Sequence, residues 1–86
     1  MTVRRLPVTD RVDRDGECVV LRGDTVVRLS ALATLVFDGC EDWTGVDVLA
    51  EHLVAELGPP PDGVDPSQAV EAAVESLVAL GLLERA

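Results

Sequence analysis

The sequence predicts an α+β fold, a three-stranded antiparallel sheet followed by three helices. Two observations lead there. The β-branched runs Cys18 to Leu21 and Thr25 to Leu29 flank Gly23-Asp24, and a two-residue glycine-containing loop between such runs is a hairpin signal. Beyond Ser30, three segments carry apolar residues at helical spacing, punctuated at Gly39, at Gly58-Pro59-Pro60-Pro61 and at Gly81.

Residues 1–7 combine two arginines with Pro7 and show no clear period, so they are expected to form a loose arm. Val8 to Arg14 alternates weakly and is expected as an edge strand beside the hairpin. Pairing Arg22 with Thr25 sets Leu21 against Val26, Val20 against Val27, Val19 against Arg28 and Cys18 against Leu29. Side chains alternate faces, which puts Cys18, Val20, Val27 and Leu29 together on the face expected to meet the core. Val19, Leu21 and Val26 lie on the outer face and leave dimerisation open.

Ser30 can cap the first helix, expected over Ala31 to Asp38 with Gly39 as a left-handed C-terminal cap. Thr44 is read as the N-cap of the second helix, with Trp43 stapled on Val48 in preference to stacking on a ligand. That helix carries its apolar stripe at Val46, Leu49, Ala50, Leu53, Val54 and Leu57 and stops at the prolines. Asp65-Pro66-Ser67-Gln68 is a strong helix start, and the third helix runs to Leu80 before Gly81. Its apolar surface is broad. Either a groove lies beside it, or a small helix is simply central in a thin core.

The 86 residues allow one domain with one modest core, and an aromatic content of 2% means that core is built from Val, Leu and Ala. Net charge is -9, unevenly placed. Up to Arg28 there are six arginines against five acids, and beyond it one arginine against eleven acids, with no lysine anywhere. Nucleic-acid binding needs cations to neutralise phosphates, so helices this acidic argue against it. No apolar run approaches membrane-spanning length and no secretion signal is visible, which points to the cytoplasm. There Cys18 and Cys40 are expected to be free thiols. With His52 as the single histidine and no CxxC, no metal site, cofactor or catalytic residue is expected. Arg22-Gly23-Asp24 is read as a turn, not as an adhesion motif.

The run VVRLSALATLVF, then VDVLAEHL, then DPSQAVEAAVESLVALGLL, resembles the PqqD-like family, the small winged helix-turn-helix-like domains that recognise leaders of ribosomally made, modified peptides. Leu29-Ser30 stands where the family has Leu-Asn, Ala33 and Thr34 match its small pair, and Phe37 matches its aromatic. The resemblance covers roughly residues 12–84, with Ser30 for the commoner Asn and a shorter hairpin turn as departures.

The resemblance implies a non-catalytic recognition element. The leader would add as a strand along Thr25, Val26, Val27, Arg28 and Leu29, its side chains entering a cleft walled by Ala69, Val70, Ala73, Val74 and Leu77 of the third helix. Arg28, and also Arg22, would meet acidic leader residues. A separate modifying enzyme or protease would then receive the leader. The rivals are a winged-helix DNA-binding regulator, disfavoured because the recognition helix would present Glu71 and Glu75, and a carrier protein, disfavoured because Ser76 lies inside the last helix.

Overall fold

The computed structural model describes residues 1–15 and 17–86. It is α+β, with two three-stranded antiparallel sheets and three helices. One sheet is the expected one: β2 (Asp10–Arg14), β3 (Glu17–Arg22) and β4 (Thr25–Leu29), in that order. The hairpin register agrees residue for residue, from Arg22 opposite Thr25 to Cys18 opposite Leu29. Gly23 takes φ 60° at the first central position of the loop, where a II′ turn demands glycine. Cys18, Val20, Val27 and Leu29 are all buried, as their shared face required.

The second sheet is a departure from the sequence reading. Residues 1–7 are not a loose arm: β1 (Thr2–Arg5) is the central strand between β5 (Thr44–Gly45) and β6 (Leu83–Arg85). Thr2 lies opposite Gly45 and Val3 opposite both Thr44 and Arg85. Further backbone bonds extend the seam, with Arg5 N donating to Cys40 O at 2.8 Å and Leu6 N donating to Leu82 O at 2.9 Å. Val3 alone carries the apolar contribution of β1, and it is fully buried with Leu82 and Leu83. The sheet therefore ties the N-terminal segment, the α1–α2 connection and the C-terminal segment to one core.

Helix α1 (Ala31–Gly39) starts at Ser30, whose Oγ accepts from Ala33 N at 3.1 Å. Gly39 is its last residue, not a left-handed cap, and Cys40 ends the helix at φ -120°. The glycine is required for packing instead. A β-carbon there would stand 2.7 Å from Leu49 Cδ2 of the second helix.

Helix α2 (Val46–Leu57) is preceded by Gly45 at the cap position, because Thr44 is held in β5. Thr44 Oγ1 donates to Asp42 O at 2.8 Å, and Arg4 lies over the Trp43 ring at 4.7 Å. Val46, Leu49, Ala50 and Leu53 are buried as expected, whereas Val54 and Leu57, which the expected stripe included, are 41% and 48% exposed and lie outside the core. Helix α3 (Pro66–Ala79) begins as its sequence required, with Asp65 accepting from Ser67 N at 2.8 Å, and leaves through Gly81 at φ 75°. Its buried stripe is Val70, Val74 and Leu77, flanked by half-buried Ala69, Ala73 and Val78.

Candidate functional site

Strand β4 pairs with β3 on one side and has no strand on the other among the described residues. Which of its backbone groups face outward follows from the hairpin. In a two-residue loop the closing pair, Arg22 with Thr25, exchanges hydrogen bonds, and pairs alternate from there. Val20 with Val27 and Cys18 with Leu29 are then bonded pairs, while Val26 and Arg28 turn their N–H and C=O groups outward. The far side of β3 agrees, since Leu21, opposite Val26, accepts at its carbonyl from Thr9 N at 2.7 Å. Val26 and Arg28 therefore offer the open edge.

The ten residues expected to bind peptide divide into two groups. Val27 and Leu29 of β4, and Val70, Val74 and Leu77 of α3, are buried in the core and present no free surface. Thr25, Val26 and Arg28 are exposed, Val26 at 67%, and Ala69 and Ala73 are half-buried. Arg28 pairs loosely with Glu17 at 3.6 Å, both side chains being more than half exposed. Such a pair is weak and exchangeable. Arg22 makes no ion pair among the described residues; its guanidinium lies against Gly81, bringing the hairpin turn to the end of α3.

Two concave regions lie apart from this edge. A cleft of about 720 Å³ opens between the β2–β3 hairpin, α1 and α2, with Thr34 and Leu35 on one side and His52 and Leu57 on another. At its margin Arg11 forks between Asp13 and Asp38, contacting Asp13 at 2.9 and 3.0 Å. The Arg11 guanidinium holds the Asp13 carboxyl below its usual range, and the two carboxylates raise Arg11 in turn. Cys18, on the cleft wall, is pushed up by burial, which keeps it a thiol and a poor nucleophile. No three His, Cys, Asp or Glu side chains are grouped to hold a metal among the described residues.

The second region, about 530 Å³, is a groove between α2 and the start of α3. Assigning Ala50 and Val54 together to the core stripe hides it at the level of sequence. The periodicity Asp47, Ala50, Glu51, Val54 is nonetheless present there as a second face of the same helix.

No family model, curated protein or solved structure matches this chain. No helix is long and apolar enough to cross a membrane.

Proposed function

We propose that this chain is a peptide-recognition domain of the PqqD-like, winged helix-turn-helix kind. It binds the leader of a ribosomally made precursor in the cytoplasm and delivers it to a separate modifying enzyme or protease. The observation that carries the proposal is the open edge of β4, with Val26 and Arg28 directing backbone donors and acceptors outward. An extended peptide added there gains main-chain hydrogen bonds without a demand on its sequence, and flanking side chains supply selectivity.

The proposed contacts use only the accessible part of the residue set first expected. Peptide side chains would rest on Val26 and on half-buried Ala69 and Ala73, while Val27, Leu29, Val70, Val74 and Leu77 belong to the core. Arg28 can exchange Glu17 for an acidic leader residue, because both members of that pair are largely solvated. Val12, Val19, Leu21 and Val26 make the outer face of the sheet partly apolar, so self-association is a competing use of the same surface.

An amide-resolved NMR titration with the leader segment of a precursor encoded beside the gene tests the reading. Saturating shifts concentrated on Thr25 to Leu29 and on Ala69 and Ala73 are expected. Shifts that avoid β4, or none at high peptide concentration with any neighbouring precursor, would overturn it.

A further inference from the structure

The groove between α2 and the start of α3 is lined on one side by Asp47, Ala50, Glu51 and Val54, spaced so that they share a single helical face. Asp65 and Pro66 form part of the opposite wall. Its floor is apolar and accessible, Val54 being 41% exposed. Every charged side chain lining it is a carboxylate, and none of the three is in an ion pair among the described residues. Asp65 is engaged in capping α3, and the Asp47 carboxylate leans over Gly45 at the start of α2. Glu51 stands one turn along, beside Val54.

We propose that this groove docks a cationic amphipathic segment of a protein partner. An apolar side chain of that segment rests on Ala50, Val54 and Pro66, and flanking Lys or Arg side chains meet Asp47 and Glu51. Charge complementarity selects this occupant. The part of the chain beyond Leu29 carries eleven acids against one arginine, a field that attracts cations and repels nucleic acid and anionic lipid. No residue of β4 lines the groove, so this docking is separate from strand addition and each can fail without the other.

The probe is a fluorescently labelled peptide of about 18 residues, lysine and leucine patterned as an amphipathic helix, followed by anisotropy at low salt. Its counterpart with glutamate for lysine is the control. The cationic peptide is expected to bind, with Glu51→Gln weakening it about threefold or more and Val54→Gln weakening it comparably. Glu71→Gln removes the same net charge from the exposed strip of α3 and is expected to leave affinity within about 1.5-fold. Equal losses from Glu51→Gln and Glu71→Gln would reveal general attraction to an acidic chain and overturn the proposal. Absence of binding, or equal binding of the glutamate peptide, would overturn it as well.

Discussion

The Arg22 guanidinium lies so close to Gly81 that a β-carbon on Gly81 would stand 2.8 Å from Arg22 Cζ. This contact brings the turn of the β3–β4 hairpin to the C-terminal end of α3. The proposed site needs that proximity, because one of its sides is β4 and the other is α3. Gly81 serves two purposes at once: it adopts φ 75°, and it leaves room for the guanidinium.

Gly81→Ala should therefore destabilise the fold. The left-handed conformation costs a non-glycine residue about 1–2 kcal/mol, whereas displacing the end of a flexible arginine costs little. Strain should dominate. Urea unfolding of Gly81→Ala and of the double variant Arg22→Ala, Gly81→Ala separates the two causes, and the double variant is expected to remain nearly as unstable as the single. Recovery to the parent stability on removing Arg22 would mean that crowding, not backbone strain, is the cause.

Gly39→Ala sets a favourable term against an unfavourable one. Alanine gains at most about 0.8–1 kcal/mol over glycine, the value for a helix interior, and less at a last helical residue such as Gly39. Against this, the new β-carbon meets Leu49 Cδ2 at 2.7 Å, and Leu49 is fully buried, so it has little room to retreat. Overpacking typically costs about 1–3 kcal/mol, so a net loss of about 1 kcal/mol is expected by chemical denaturation. Leu49→Ala in the same background should lose less stability than Leu49→Ala alone. Simple additivity of the two changes would mean that the contact is not what limits position 39.

What the sequence made legible was local. The hairpin register follows from a two-residue loop, and the inner face follows from alternation, so Cys18, Val20, Val27 and Leu29 could be placed from neighbours alone. β1 could not be read this way. Thr2 pairs with Gly45 and Val3 with Arg85, and a four-residue strand with one buried side chain leaves no period to detect. Gly39 shows a related ambiguity: a glycine at a helix end serves a cap or a close approach, and only the neighbouring helix decides. The free edge of the proposed site was legible only as a candidate, because a hairpin has two open edges and it is the pairing of β2 with β3 that leaves β4 terminal. Its helical side was not, since Val70, Val74 and Leu77 fit a core stripe and a groove wall equally well.

Alkaline pH should weaken the fold through Cys40. Burial pushes its thiol from 9.0 up to about 11, only partly opposed by the Arg5 guanidinium, and its Sγ donates to Val36 O at 3.1 Å. A folded-state value above the unfolded one favours the fold below about pH 9, and that contribution is lost as pH rises toward 11. The loss is on the order of 2 kcal/mol. The chain has no lysine and no tyrosine, so the thiols dominate side-chain titration in this window. Unfolding free energy measured at pH 8 and pH 10.5 should fall for the parent and fall less for Cys40→Ala. An equal decline in both would assign the effect elsewhere, first to Cys18, whose thiol burial also raises.

Proline at two adjacent positions of β4 should separate folding from binding. Val27 faces the core and is a bonded partner of Val20, so Val27→Pro removes a ladder donor and orphans an acceptor, costing about 1–3 kcal/mol or abolishing the fold. Val26 directs its N–H outward and its side chain to solvent, so Val26→Pro removes nothing from the ladder. An edge strand tolerates it. Circular dichroism and urea unfolding should place Val26→Pro near the parent, while leader affinity falls about tenfold from the lost donor and the ring's bulk against the incoming strand. Arg28→Pro, at the other outward-facing position of the strand, should behave alike. A folded Val26→Pro that keeps full leader affinity would eliminate strand addition at β4, because any peptide pairing there must accept from that amide or pass over the ring that replaces it.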